Sequence, residues 1–145
     1  MISKDFKEFI ALLNSHQVKY LVVGGYALAF HGHPRYTKDL DVWILVDPIN
    51  AHNVIEALKD FGFASLGLNE KDFLTPNTVV QLGQLPHRID ILTTATGIEF
   101  ANCYPHKQEV VIDGVSISFI DLENLKRNKR ATGRHQDLAD VEKLQ

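Results

Sequence analysis

The chain has 145 residues, of which 45% are hydrophobic, and 15 Lys and Arg against 18 Asp and Glu leave a formal net charge of -3. This length predicts one compact domain over residues 1–145, since domains commonly span about 100 to 150 residues. A single cysteine excludes an internal disulfide, and no run approaches the roughly 20 apolar residues that cross a bilayer. We therefore expect a cytoplasmic protein without a membrane partner, and the net charge argues against a polyanion-binding surface over the whole molecule.

Hydrophobic periodicity predicts alternating helices and strands along the chain. In the first half we expect a helix over residues 3–16, a strand over 20–23, a helix over 26–31, a strand over 39–46, a helix over 48–61 and a loop over 64–76. The alternative for this loop is a short helical turn around residues 70–74. In the second half we expect strands over 78–82, 88–92, 110–112 and 115–120, a short helix over 98–103, and one or two helices in the last 25 residues. Asp113-Gly114 is a strong hairpin signal, and the two preceding strands are close enough to pair as well. This order of elements predicts an α+β fold, a mixed sheet packed against helices.

Two carboxylates begin the strand over 39–46. Residues i and i+2 of a strand share a face and lie about 6.6 to 7 Å apart, so Asp39 and Asp41 point the same way. Their charges repel each other unless a cation lies near, and carboxylate oxygens suit Mg²⁺ or Mn²⁺. The alternative is that the pair merely begins a strand at the solvent boundary. A third acid, Asp90, lies in an apolar strand, where a charge needs a partner unless the strand is an edge that faces water.

A glycine pair, Gly24-Gly25, lies where a buried strand passes into a helix. Such a tight turn offers a phosphate free backbone N–H groups and the positive end of a helix, without side-chain bulk. An ordinary strand-to-helix turn has the same sequence, so the pair alone is weak evidence. The informative feature is the order, in which Asp39 follows 14 residues after Gly25 and a third acid comes later in the chain.

The segment GGYALAFHGHPRYTKDLDVWI resembles the signature of the polymerase-β-like nucleotidyltransferase superfamily, in its small branch of minimal nucleotidyltransferases and AbiEii-type toxins. The resemblance implies that Gly24 and Gly25 face a phosphate. It implies that Asp39, Asp41 and Asp90 are the catalytic residues and hold two Mg²⁺ or Mn²⁺ ions, with Asp90 as a candidate general base. The implied reaction is in-line attack of a hydroxyl on the α-phosphate of an NTP, with pyrophosphate leaving.

Two basic regions are further candidates for binding the nucleotide. Arg35 is a candidate phosphate ligand between the glycine pair and the acids, and nearby Thr37 is a candidate to order that loop. The segment 126–134 holds five basic residues in nine, which leaves the remainder of the chain at -8. Within it, Lys129 and Arg134 are candidates to bind the triphosphate or a nucleic-acid acceptor. The alternative for this segment is a solvated helix face.

The preferred function is metal-dependent transfer of NMP from an NTP to a hydroxyl of a protein, an RNA or a small molecule. Many relatives carry serine where this chain has Gly25, so a hydroxyl contact to phosphate is missing and we expect weaker triphosphate binding. Because the chain ends soon after the catalytic core, we expect a partner protein or a second copy of the chain to supply the acceptor site. A second hypothesis is a non-catalytic nucleotide-binding or interaction module, as part of a toxin–antitoxin pair. A metal-dependent nuclease is disfavoured, because nothing in that chemistry requires the glycine turn.

Overall fold

A computed structural model describes residues 3–32, 38–83, 88–134, 138–139 and 141–142 of the chain. The helices are α1 (Lys4–Ser15), α2 (Gly24–Phe30), α3 (Pro48–Asp60), α4 (Phe100–Cys103) and α5 (Leu122–Thr132). The strands are β1 (Tyr20–Val23), β2 (Asp39–Ile44), β3 (Val79–Leu82), β4 (Arg88–Leu92), β5 (Gln108–Ile112) and β6 (Val115–Phe119). Short 3₁₀ helices cover Ala64–Leu66, Glu70–Phe73 and Tyr104–His106.

The strands form one mixed sheet in the order β3-β4-β2-β1-β6-β5. Strands β1 and β2, β3 and β4, and β5 and β6 pair antiparallel, whereas β2 with β4 and β1 with β6 pair parallel. Both predicted hairpins are present. The second one turns at Asp113 and Gly114, whose φ values of 50° and 82° suit the type I′ turn that such a pair favours. The predicted α+β fold with a mixed sheet is confirmed.

The helix after β1 begins earlier than the sequence predicts. We expected a tight turn at Gly24-Gly25 and a helix from residue 26, but α2 already begins at Gly24. The backbone of Val23 is extended, and the φ of +70° at Gly24 lets the chain change direction into the helix within one residue. The glycine pair is therefore the first turn of α2, and β1 passes directly into the helix.

The loop predicted over 64–76 was also wrong in part, since two of the short 3₁₀ helices lie within it. The one over Glu70–Phe73 matches the alternative of a helical turn around 70–74, whereas the one over Ala64–Leu66 was not predicted. Asn69 and Asp72 form a capping box there: the Asn69 side chain accepts from the N–H of Lys71, and the Asp72 side chain accepts from the N–H of Asn69. Reciprocal capping of this kind pairs the exposed donors of a helical turn too short for periodicity to reveal.

One core joins the helices to the sheet. Along β2, Leu40 and Val42 are buried, whereas Asp39 and Asp41 remain partly exposed, as alternation along a strand requires. Trp43 is buried as well and contacts Phe100 of α4 edge to face, with 5.1 Å between the ring centroids. The core includes residues of α1, β1 and α3, among them Phe9, Ile10, Leu13, Leu21, Val54 and Leu58. No helix in the described part of the chain is both long and apolar enough to cross a bilayer.

Candidate active site

The three acids predicted as catalytic lie on adjacent strands in the middle of the sheet. Because β2 and β4 run parallel, their register places Asp41 beside Asp90 and Asp39 beside Arg88. Neighbouring strands are about 4.8 Å apart, and residues at one register position point to the same face. The structure therefore brings Asp39, Asp41 and Asp90 together, and we call these three residues the acidic cluster.

Asp90 is buried in the interior of the sheet. Its strand β4 lies between β3 and β2, and the residue is 7% exposed. The alternative of an edge strand whose acid faces water is therefore wrong. A carboxylate so placed needs a charged or hydrogen-bonding partner, because desolvation of an isolated charge costs several kcal/mol.

Arg88 is that partner, and it also reaches a second acid. Its Nε donates to Asp90 Oδ1 at 2.8 Å, and its Nη2 donates to Asp90 Oδ2 at 3.2 Å. The same Nη2 lies 3.1 Å from Asp39 Oδ2. The hydrogen bonds and the charge of Asp90 raise the pKa of the Arg88 guanidinium above its ordinary value. One guanidinium thus bridges the first and third acids of the cluster.

Asp41, the second acid, packs against the start of α2. The antiparallel register of β1 and β2 places Val23 beside Asp41, so that the next residue, Gly24, meets the carboxylate. A Cβ on Gly24 would overlap Asp41 Oδ2 and lie 3.0 Å from its Cγ. Any side chain at this position would therefore displace the carboxylate. Gly24, which we expected to face a phosphate, therefore leaves the space that the Asp41 carboxylate occupies.

The electrostatic balance at Asp41 favours a further cation. Burial, followed by the charges of Asp90 and Asp39, raises the pKa of Asp41 to about 7, against an ordinary 3.8. The positive charges of Arg88 and Lys129 act in the opposite direction and do not offset it. Two cations close to three acids thus leave one carboxyl that ionises reluctantly at neutral pH.

The donor set of the acidic cluster has the chemistry that Mg²⁺ or Mn²⁺ prefers, since all its ligands are carboxylate oxygens. The excess negative charge at Asp41 also fits an added cation. In this structure, however, Arg88 forms ion pairs with both Asp39 and Asp90. Across the described residues, no group of three or more His, Cys, Asp or Glu side chains stands ready to hold a metal ion.

Of the basic segment 126–134, Lys129 comes closest to a site role. It is 7% exposed on α5, four residues after buried Leu125 and so on the same helix face, and its charge acts on Asp41. Arg130 and Arg134 are exposed. The alternative of a solvated helix face describes Arg130 but is wrong for Lys129, and Arg134 lies beyond the end of α5.

Three other residues, Gly25, Arg35 and Thr37, were predicted to contact the nucleotide or to order the loop near it. Gly25 is the second residue of α2 and is partly exposed, next to the glycine that contacts Asp41. Arg35 and Thr37 lie outside the residues that the structure describes.

Comparison with known proteins gives the family. Residues 3–145 match the family described as "nucleotidyltransferase of unknown function (DUF6036)". The chain belongs to this nucleotidyltransferase family. The membership that the sequence motif predicted is confirmed.

Two solved structures share the nucleotidyltransferase fold with this chain. One, described as a "putative nucleotidyltransferase" from Thermotoga maritima, is 15% identical with a TM-score of 0.60, over 94% of this chain and 88% of that one. The other, an antigenic nucleotidyltransferase-like protein from Paracoccidioides brasiliensis, is 17% identical with a TM-score of 0.53, over 99% of this chain and 77% of that one. At such identities the likeness shows the fold alone. The search of curated proteins gave no match.

Arg88 is the residue of this site that the sequence patterns did not predict. The signal was present, because Arg88 and Asp90 are two residues apart on one strand and so share a face, as Asp39 and Asp41 do. What the strand pattern alone lacks is the pairing of β4 with β2, which places Arg88 beside Asp39.

Proposed function

We propose that this protein transfers NMP from an NTP to a hydroxyl of a protein, RNA or small-molecule acceptor at the acidic cluster, and releases pyrophosphate. One observation carries the proposal: Asp39, Asp41 and Asp90 converge on two paired strands, directly beside the start of α2 at Gly24. Membership of a nucleotidyltransferase family supports the same reaction class.

Asp39, Asp41 and Asp90 are the residues that would hold Mg²⁺ or Mn²⁺. Two such ions, when bound, supply positive charge that stabilises both the attacking and the leaving oxygens of an in-line displacement. The raised pKa of Asp41 supports this assignment, because a nearby cation would favour the ionised carboxylate. The charge balance of the site thus favours bound metal.

The chain's own residues would bind the nucleotide and accept the proton. The first backbone N–H groups of a helix have no partner within it, so the first turn of α2, which includes Gly25, can donate hydrogen bonds to a phosphate. Lys129 brings a buried ammonium group toward the cluster, where it would pair with the phosphates of the leaving group. Asp90 would accept the proton of the acceptor hydroxyl.

A second candidate function is nucleotide binding without transfer. The observation that favours it is the bridge from Arg88 to Asp39 and Asp90, which engages two of the three acids that catalysis would use. The absence of a hydroxyl at Gly25 agrees with weaker triphosphate binding. Four points stay predictions: the identity of the acceptor, a toxin–antitoxin partnership, a second copy of the chain at the site and a cytoplasmic location.

Labelling with radioactive NTPs tests the proposed reaction. The protein is incubated with Mg²⁺ or Mn²⁺, a cell lysate whose own enzymes are inactivated as the source of acceptors, and each NTP labelled at either the α- or the γ-phosphate. We expect a labelled acceptor from the α-labelled NTP and none from the γ-labelled NTP, because pyrophosphate leaves. The Asp39→Asn, Asp41→Asn double variant should give no label.

Each other outcome of the labelling has a distinct meaning. Label from the γ-position would indicate phosphoryl transfer, and equal labelling by the double variant would remove the assignment of the acids. NTP binding without any label would support the second candidate function. Degradation of RNA in the absence of NTP would instead indicate a nuclease.

A further inference from the structure

Arg88 contacts two of the three acids of the acidic cluster. Its Nε and Nη2 contact three carboxylate oxygens at 2.8 to 3.2 Å, two on Asp90 and one on Asp39. Charge-assisted hydrogen bonds with two points of contact are among the stronger polar interactions in proteins. The guanidinium therefore occupies oxygens that the proposed function assigns to metal.

A divalent ion and this guanidinium would compete for the acidic cluster. Ligand oxygens approach Mg²⁺ to about 2.0 to 2.1 Å, close to ideal octahedral geometry. A guanidinium on the same oxygens would lie within a few ångströms of the ion, where the two positive charges repel each other. Full ligation by Asp39 and Asp90 therefore requires Arg88 to withdraw.

Arg88 is more readily displaced than Asp90, its main partner. It is the first residue of β4, and its side chain is 28% exposed, whereas the side chain of Asp90 is 10% exposed. The long arginine stem can rotate toward solvent without breaking backbone hydrogen bonds of the sheet. Asp90 lies within β4, between two paired strands, and cannot follow it.

We propose that Arg88 is a positioning residue that closes the acidic cluster in the metal-free protein and must leave Asp39 and Asp90 before a divalent metal binds there. This inference rests on the metal dependence in the proposed function. Arg88 then plays two parts: it neutralises the acids while no metal is present, and it lowers their affinity for metal. A merely structural arginine would have the opposite effect on metal binding when removed, because it would hold the ligands in place.

Mn²⁺ binding to the metal-free protein tests this inference independently of turnover. The titration follows the electron paramagnetic resonance signal of free Mn²⁺ with wild type, Arg88→Gln and Arg88→Lys. We expect Arg88→Gln to bind Mn²⁺ at least about 10-fold more tightly than wild type, and Arg88→Lys to fall between them, because one ammonium group cannot bridge both acids.

A control variant separates competition at the site from a change in net charge. Lys59→Gln removes one exposed cation and its ion pair with Glu56, 3.2 Å away on α3. We expect its Mn²⁺ affinity to equal that of wild type. Because Arg88→Gln leaves Asp90 buried without its partner, circular dichroism should verify that this variant is folded. If Arg88→Gln does not fold, the comparison of Arg88→Lys with wild type tests the inference.

The outcomes distinguish this inference from the proposed function. If wild type binds Mn²⁺, Asp41→Asn does not, and neither Arg88 variant binds more tightly than wild type, the competition by Arg88 is overturned while the metal site stands. If no variant binds Mn²⁺, or if Asp41→Asn binds it as wild type does, metal binding at the acidic cluster fails and the inference fails with it.

Discussion

Replacing Asp41 with asparagine is expected to reduce NMP transfer by at least about 10²- to 10³-fold while the protein stays folded. A cation held at the reacting phosphate contributes several kcal/mol of transition-state stabilisation, and about 1.4 kcal/mol corresponds to tenfold in rate. Asp41 is the acid that contacts Gly24 and that lies beside Asp90, so its charge is central to the cluster. Initial rates with an α-labelled NTP measure the loss.

The same substitution should stabilise the metal-free protein at pH 8. The pKa of Asp41 is about 7 in the folded state and near 3.8 when unfolded, so between these values the folded chain holds a proton that the unfolded chain has released. The free energy of unfolding of wild type therefore falls as the pH rises from about 4 to 7. Asparagine removes this dependence, and we expect a gain of about 1 to 2 kcal/mol at pH 8. Urea denaturation at pH 5 and pH 8 without metal checks the sign.

Asp113→Asn is the matched control for Asp41→Asn. It also removes one carboxylate charge, but in the exposed β5–β6 turn, where Asp113 pairs with Lys7 at 3.1 Å. Asparagine tolerates the positive φ of that turn, so activity and stability should both stay near those of wild type. Retention of most transfer activity by Asp41→Asn would contradict the role given to the acidic cluster.

Gly24→Ala should cost both stability and metal affinity. A φ of +70° is unfavourable for alanine by about 1 to 2 kcal/mol, and the added Cβ would also overlap the Asp41 carboxylate. Gly67→Ala separates the two effects, because Gly67 has the same φ of +70° and its Cβ would meet nothing within 4 Å. We expect Gly24→Ala to lose at least about 1 kcal/mol more than Gly67→Ala in urea denaturation.

Mn²⁺ binding adds a second measurement to this glycine comparison. Gly24→Ala should bind Mn²⁺ at least about 10-fold more weakly, since Asp41 must move, whereas Gly67→Ala should bind it as wild type does. Equal losses of stability in the two variants, with Mn²⁺ affinity unchanged, would show that the contact between Gly24 and Asp41 has no consequence.

Local sequence patterns predicted the elements of the fold well, because periodicity and turn chemistry act over a few residues. The helix predicted over residues 3–16 is α1, where Ser3 accepts from the N–H of Phe6 and caps the first turn, and Gly133, with a φ of +70°, follows the end of α5. The start of α2 was misplaced for a physical reason. A glycine pair is compatible both with a tight turn and with a helix whose first residue has a positive φ. The contact of Gly24 with Asp41, on a neighbouring strand, favours the second arrangement.

The candidate site was predictable where one strand alone sets the geometry. Alternation along β2 predicts that Asp39 and Asp41 point in the same direction. Asp90 joins them only because β4 pairs in parallel with β2. The paired residues are far apart in the chain, as Arg88 and Asp39 are, 49 residues from each other. Such a long-range pairing leaves no local signal. The bridging role of Arg88 depends on that pairing as well, and the burial of Lys129 depends on how α5 packs in the folded chain.

A crystal structure with Mn²⁺ and a non-hydrolysable NTP analogue tests the central claim most directly, because Mn²⁺ gives an anomalous signal that locates it. We expect anomalous peaks in contact with Asp39 and Asp41, the α-phosphate of the analogue beside them, and the Arg88 guanidinium withdrawn from both Asp39 and Asp90. Mn²⁺ and nucleotide bound away from the acidic cluster, with Arg88 still bridging Asp39 and Asp90, would contradict this claim.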